Sequence, residues 1–194
     1  IMAAMHLIVV GGGAAGIFTA VNAARKDPGL RVTVVEKTGK LLSKVRISGG
    51  GRCNVTHACF DIGEMAARYP RGQHFVRKAF HRFFTRDTIE WFSSRGVELK
   101  TEADGRMFPV TDTSQTIIDC LMREIDTYGV GIWMHAEVRG VSPLPEGGFE
   151  VELADGRRLS AGHGCVACGG YPKSGLFDWI RRLGHSIEGP VASL

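Results

Sequence analysis

The 194-residue sequence has too few cysteines, and of the wrong parity, for a disulfide framework. The five (Cys53, Cys59, Cys120, Cys165 and Cys168) are scattered. That is the pattern of free thiols in a reducing compartment, and so of a cytoplasmic protein. Positive charge is missing where export would need it. Met5 to Ala24 is almost uncharged and long enough to cross a bilayer. No Lys or Arg precedes it, however, and three consecutive glycines interrupt it, which disfavours both a signal peptide and a spanning helix. Ile1 ahead of Met2 reads as an expression scar or an internal start. The glycines do not recur at every third position, which excludes a collagen. There is no internal repeat, low-complexity tract or obvious linker.

What is present is ordinary for a globular chain, glycine apart. Apolar residues make up 44% and charged residues 23%. The length suggests one domain or slightly more, able to bury a core without staples. A net charge of +4 and a pI near 8.9 permit anionic partners without demanding them. Glycine is the excess: 26 of 194 residues, about 13%, roughly twice average usage.

The first glycine cluster sits in a telling context. His6 to Val10 reads as a buried strand, Ala14 to Lys26 as a helix with Ile17, Ala20, Val21 and Ala24 on one face, and Arg31 to Val35 as a second strand. This is a βαβ unit, and Gly11-Gly12-Gly13-Ala14-Ala15-Gly16 between strand and helix matches G-x-G-x-x-G. The spacing allows a tight turn, a close backbone approach to a pyrophosphate, and tight helix-on-strand packing. The helix N-terminus offers free N–H groups and a positive dipole to phosphates. Glu36 closes the second strand, 20 residues after Gly16, where its carboxylate can accept from a ribose diol and would repel a 2′-phosphate. The motif by itself does not separate NAD from FAD.

Further along, Lys37 to Thr56 reads as irregular. Arg68 to Arg86 contains a helix with Phe75, Ala79, Phe80, Phe83 and Phe84 on a core-facing side, followed by a helix over Thr85 to Arg95. Val97 to Thr101 reads as a strand. Asp112 or Ser114 caps a helix to Tyr128, with Ile117, Ile118, Leu121, Met122 and Ile125 as its stripe. Gly131 to His135 and Glu137 to Val141 read as strands, Phe149 to Leu159 as a hairpin, and Leu176 to Leu183 as a last helix ended by Gly184.

The second glycine cluster is Ile47-Ser48-Gly49-Gly50-Gly51-Arg52-Cys53-Asn54-Val55-Thr56-His57. It offers backbone N–H groups, a permanent cation and two hydrogen-bonding side chains to a bound group. Cys53, His57 and Cys59 lack a fourth ligand for a metal, so no metal site is expected. A Cys53–His57 nucleophile has nothing to orient it. Cys165-Val166-Ala167-Cys168 has redox spacing but reads as a buried strand in the core.

Taken together, these residues resemble a family of bacterial FAD-dependent oxidoreductases, the NAD(P)/FAD-dependent flavoproteins that include aminoacetone oxidases and reductases of unsaturated steroid acids. The resemblance rests on Ile8 to Gly16, Glu36-Lys37, Ile47 to His57, Gly105 to Pro109, Ala167 to Gly170, Leu183-Gly184-His185 and Pro190-Val191. It implies an α/β fold: a Rossmann-like FAD/NAD(P)-binding domain with a central parallel sheet and helices, plus a small β-meander. It also implies FAD in extended form. Gly11, Gly13 and Gly16, with Ala14 and Ala15, would face the pyrophosphate. Glu36 would meet the adenosine ribose, with Lys37 beside it. Lys44, Gly51, Arg52, Cys53 and Asn54 would lie toward the flavin end, Val138 would meet the adenine through its backbone, and Gly169 and Gly170 would pass under the cofactor. NAD(P)H is the implied electron donor, with a small-molecule substrate and no membrane. No catalytic acid or base stands out; His57 and Cys53 are the nearest candidates.

There are departures. Where many members have Gly-Arg-Lys, this chain has Leu42-Ser43-Lys44, and Ala192 stands where a second proline is common. Members are also much longer, continuing into a β-rich substrate domain. Residues 1–194 therefore read as the N-terminal part of the FAD-binding domain. Two other readings stand beside this one. An inert dinucleotide-binding remnant is one. The other is a nucleic-acid-binding flavoprotein module, suggested by Arg68, Arg71, Arg77, Lys78, Arg82 and Arg86 interleaved with aromatics and with no acid among them. It is disfavoured if the phenylalanines are core.

Overall fold

β1 (His6–Val10) is buried along its whole length and has parallel partners on both sides, as its unbroken apolar run requires. The computed structural model describes residues 5–170 and 174–189. By contacts they divide into two units, one made of the residues up to Ser43 with those from Arg123 onward, the other of Lys44–Met122. The Pro190-Val191 close of the family pattern lies outside the described residues.

In the first unit, α1 (Ala14–Lys26) and β2 (Arg31–Val35) complete the βαβ unit at the expected boundaries. β10 (His163–Val166), β1, β2 and β6 (Gly131–Trp133) form a parallel sheet in that order. Alternation along the strands sorts its two faces. Ile8, Val10 and Val35 form a core with Val151, Leu153, Ala161 and Trp179. These come from the antiparallel meander β7 (Val138–Pro143), β8 (Phe149–Leu153) and β9 (Arg158–Ala161), and from α7 (Asp178–Arg181). The opposite face takes α1, which buries Ile17, Ala20, Val21 and Ala24. The uncharged Met5 to Ala24 stretch is thus a strand, a turn and an amphipathic helix. Among the described residues no helix is long and apolar enough to cross a membrane.

The second unit begins in α2 (Ser43–Gly51), whose helical turn breaks at Ser48. The Lys37 to Thr56 stretch read as irregular therefore contains a helical turn. β3 (Thr56–His57), β5 (Arg106–Pro109) and β4 (Leu99–Thr101) form an antiparallel sheet in that order, around the fully buried Phe108. α3 (Ile62–Ala67) is capped by the Asp61 carboxylate, which accepts from Glu64 N. α5 (Thr85–Ser93) begins where Asp87 accepts from Phe84 N. α6 (Ser114–Thr127), crossed by the division between the units, starts with Thr113 Oγ1 accepting from Gln115 N, so the cap falls between the two expected residues. Ile117, Ile118, Leu121 and Ile125 are buried on it and Met122 half-buried.

Three expectations are corrected. The helix read within Arg68–Arg86 is only α4 (Gln73–Phe80), because Pro70 and the left-handed Gly72 (φ 80°) interrupt the chain ahead of it. α4 buries none of its residues; Phe75 is 77% exposed, so its phenylalanine face is not core. Phe80 instead meets Tyr69 and Phe84, with ring centroids 5.9 and 5.0 Å away. Finally, β10 is an edge strand. Cys165 and Cys168 are half-buried and Val166 is exposed, so this run is not buried core. All five cysteines are free thiols.

His6 is a buried polar residue inside the sheet. Its Nδ1 lies 2.7 Å from an Arg31 guanidinium nitrogen, which can only donate, and 3.2 Å from Ser160 O, which can only accept, while Nε2 lies 2.9 Å from Thr33 Oγ1. Burial, with a smaller contribution from the Arg31 charge, pushes the His6 pKa below the ordinary 6.5 against the raising effect of its hydrogen bond with Ser160 O. The unfolded chain therefore binds the proton more readily, and His6 contributes stability that is complete above 6.5 and is lost as pH falls below it. Thermal melts at about pH 7.5 and about pH 5.5 test this. His6→Gln is expected to show a smaller drop in Tm between them than the parent, and an equal drop would remove His6 from the acid sensitivity.

Candidate dinucleotide site

The glycine turn after β1 divides its work among its members. Gly11 has φ +112°, and a Cβ there would lie 2.5 Å from the Ala167 carbonyl oxygen. A Cβ on Gly16 would lie 1.9 Å from Gly11 O. These two glycines let α1, β1 and the segment after β10 approach backbone to backbone. Gly12 is closed off by Leu41, whose Cδ2 would be 2.3 Å from its Cβ. Gly13 differs, with nothing within 4 Å of its Cβ position. It is the N-cap of α1, with no side-chain cap and no acid in the first turn. Gly13, Ala14 and Ala15 are exposed. The helix therefore presents an uncompensated positive end to open space, which suits an anion.

Glu36 leaves β2 half-buried beside this turn. Its Oε2 accepts from Gly12 N at 2.8 Å, and its Oε1 accepts from Thr38 N at 2.9 Å and Thr38 Oγ1 at 2.8 Å. A carboxylate has about four acceptor positions. Three are used to fix its orientation, and one on Oε2 is left for a hydroxyl. Sequence reasoning found Glu36 but not Gly12 or Thr38, although Gly12 lies within the fingerprint and Thr38 only two residues beyond Glu36.

A narrow crevice of about 60 Å³ opens next to it, lined by Val10, Gly11, Val35, Glu36, Lys37, Ala136, Glu137, Val138 and Cys168. Its lining combines the aliphatic Val10, Val35, Ala136 and Val138 with the charged Glu36, Lys37 and Glu137. Val138 begins β7 at a register irregularity between Val138 and Gly140, which re-aims the strand at this point. The structure thus brings Gly11, Glu36, Lys37 and Val138 together as expected, and adds Cys168, read earlier as core. Gly169 (φ 71°) and Gly170 are exposed just beyond it.

The remaining candidates lie in the second unit. Lys44 is exposed on the helical turn of α2. The chain then turns through left-handed Gly49 and Gly50, a reversal closed by Cys53 N donating to Ser48 O at 3.0 Å. A Cβ on Gly49 would come within 2.8 Å of the Phe108 ring, whereas Gly50 faces open space. Gly51 (φ 87°) follows, and Asn54 is exposed. The Arg52 guanidinium lies over the Phe108 ring at 4.0 Å, pairs with Glu102 and stands 3.6 Å from Asp112. The hydrogen bond that Arg52 donates to Glu102 raises the Arg52 pKa. A hydrogen bond from Lys100, then the nearby charges of Lys100 and Arg52, hold the Asp112 carboxyl below its ordinary range.

Cys53 is buried at φ 63°, and burial pushes its thiol up, which makes it a poor nucleophile. His57 lies against Gly105 with its buried Nδ1 unpartnered, so no hydrogen bond at that nitrogen links it to Cys53. Among the described residues no three of His, Cys, Asp and Glu are grouped to hold a metal ion.

Comparison with known proteins places this geometry. The model of a family described as the HI0933-like protein Rossmann domain matches residues 5–190. The chain is 30% identical over 192 residues to a 3-dehydro-bile acid delta(4,6)-reductase from Clostridium scindens, covering 96% of this chain and 46% of that protein. It is 31% identical over 169 residues to a ribosomal RNA dihydrouridine synthase from Escherichia coli, covering 87% and 40%. Among solved structures, a 3-ketosteroid-delta4-(5alpha)-dehydrogenase from Rhodococcus jostii superposes with a TM-score of 0.64 at 15% identity, covering 89% of this chain and 47% of that one. An E. coli quinol fumarate reductase FrdA chain gives 0.60 at 15% identity, covering 85% and 32%. These structures share the fold. The chain spans under half the length of the curated relatives it matches.

The division of labour among the glycines is testable. Gly16→Ala forces a carbon against Gly11 O and is expected to cost more than about 4 kcal/mol, in the range reserved for backbone clashes of this kind. Gly13→Ala meets nothing and is expected to cost about 1 kcal/mol, the usual deficit of Ala at an N-cap. Chemical denaturation of both variants checks it, and equal losses would show that Gly13 is structural as well.

Proposed function

The chain belongs to the HI0933-like Rossmann domain family, and from that premise we propose that it is the FAD-binding portion of a flavin-dependent oxidoreductase. The observation that carries this reading is the uncapped, open N-terminus of α1 at Gly13, beside a carboxylate held in place by Gly12 N and Thr38. The exposed backbone at Gly13, Ala14 and Ala15 would bind the pyrophosphate, with Gly11 and Gly16 shaping the turn beneath it. Glu36 would accept from the adenosine ribose through its remaining lone pair, and its charge disfavours a 2′-phosphorylated nucleotide there. The crevice at Lys37 and Val138 would receive the adenine edge. Gly169 and Gly170, with no side chain, would let the cofactor pass close to the backbone.

Lys44, Gly51, Arg52, Cys53 and Asn54 are assigned to the flavin half. A guanidinium has five N–H donors, so Arg52 can stay paired with Glu102 and still donate to a bound anion. Bound FAD would supply hydride transfer; the residues named here bind and orient it. NAD(P)H is the proposed donor. The names of both curated relatives denote saturation of a carbon–carbon double bond: in one case in an oxidised bile acid, in the other in a uridine of ribosomal RNA. We therefore take the substrate class as an alkene conjugated to a carbonyl. Residues 1–194 are read as the N-terminal part of the FAD domain of a longer bacterial enzyme with a β-rich substrate domain, acting in the cytoplasm, where its five thiols stay reduced.

Titration of the purified chain with FAD, followed by the visible flavin band, tests the reading. Saturable binding is expected, with Glu36→Ala weakening it about tenfold, the worth of one charge-assisted hydrogen bond. Unchanged affinity in Glu36→Ala would overturn the ribose assignment. No binding at all would leave an inert dinucleotide-type fold.

A further inference from the structure

We propose that α4 and its flanking segments form a binding surface for single-stranded nucleic acid, with Phe75 as a base-stacking ring between phosphate-binding cations. The proposal goes beyond the cofactor reading and does not depend on it. Four aromatic side chains are exposed among the described residues: Phe60, Tyr69, Phe75 and Phe83. All four fall within one stretch of the second unit. Phe75, at 77% exposed, is the extreme.

Charge is equally one-sided there. From Met65 to Arg86 the chain carries six Lys or Arg and no Asp or Glu. Elsewhere, Arg52, Lys100, Arg106, Arg157, Arg158 and Arg181 stand in ion pairs. Among the described residues, Arg71, Arg77, Lys78 and Arg82 stand in none of the ion pairs, and all four are exposed. Helical phase sets the pattern at short range. Lys78 is three residues after Phe75, on the same face, and Arg82 lies just beyond the His81 C-cap of α4. Val76 and Phe80, on the other side, are the half-buried positions of α4.

An exposed ring flanked by unpaired cations matches what a single strand offers, a free base face next to phosphates. A duplex hides those faces. A lipid surface would call for the opposite arrangement, with cations segregated from an aliphatic-rich apolar face. Here Phe75 shares its face with Lys78, and Val76 is the one aliphatic residue larger than alanine in α4.

The test is fluorescence anisotropy of a labelled, mixed-sequence single-stranded RNA against the full chain, with no flavin added, over a salt titration. Log affinity is expected to fall with log salt with a slope of about −2 to −3, which corresponds to three or four phosphates at roughly −0.7 each. Phe75→Ala should weaken binding about tenfold with the slope unchanged, and Phe75→Trp should restore it. The pair Lys78→Glu with Arg82→Glu should flatten the slope. These side chains are exposed, so unchanged melting temperatures are expected to certify the fold of each variant. Three results would overturn the proposal: equal affinity for parent and Phe75→Ala, equal affinity for the duplex of the same sequence, or binding to phosphatidylserine vesicles without binding to the RNA.

Discussion

The contact between Gly16 and the Gly11 carbonyl is the constraint on which the first unit depends. A side chain at Gly16 would start 1.9 Å from that oxygen. Only its absence lets α1 lie down on β1 and bury Ile17, Ala20, Val21 and Ala24 against the sheet. The same approach fixes where α1 begins, and hence where its unsatisfied N–H groups point. Gly11 adds a second such approach, to Ala167, which ties the end of β10 to the turn. One backbone-to-backbone contact therefore sets both the packing of the core and the position of the anion-binding end. Hydrophobic burial stabilises the layers, but the glycines determine their spacing.

Glu36 shows how this arrangement handles charge. A carboxylate beside a proposed phosphate site is unfavourable unless it is held away from the phosphate and its charge is dispersed. The Gly12 amide and the two Thr38 donors take up three acceptor positions, which fixes the carboxylate's orientation and disperses its charge. The helix end, with no acid in its first turn, keeps its positive potential for the anion. The opposite device operates at Arg52, where Glu102 and Asp112 spread their charge over a cation stacked on Phe108. There the protein holds a permanent cation ready without leaving it isolated.

Much of the first unit was legible because its signals are local. The continuous β-branched runs of His6–Val10 and Arg31–Val35, the glycines between them, and the 3.6-residue spacing of Ile17, Ala20, Val21 and Ala24 each specify one element. The hairpin over Phe149–Leu159 and the parallel sheet were legible for the same reason. What escaped depends on distant partners. Thr38 and Gly12 anchor Glu36 through contacts that no spacing rule encodes. Cys165 and Cys168 sit on an apolar run, but that run pairs on one side only, so its burial could not be read from its composition. A Cys53–His57 nucleophile was not expected, because proximity in sequence does not orient two side chains. Burial of the Cys53 thiol and the strand pairing of His57 send them to different surroundings.

The α4 segment is the most instructive failure. Its phenylalanines do recur at helical spacing, and periodicity normally means a buried face. Periodicity reports that a face exists, not that anything covers it. Pro70 and Gly72 cut the helix to eight residues, too short to lay a stripe across a neighbouring layer; it lies against α3, and Phe80 meets the Tyr69 and Phe84 rings. Ordinary surface selection would then replace an exposed phenylalanine, or at least dilute its cations with acids. Neither has happened between Met65 and Arg86. Arg86 stacks on the Phe60 ring at 4.6 Å, but among the described residues Arg71, Arg77, Lys78 and Arg82 repel one another with no ion pair to offset it, which argues that an anionic partner accounts for the composition of this face.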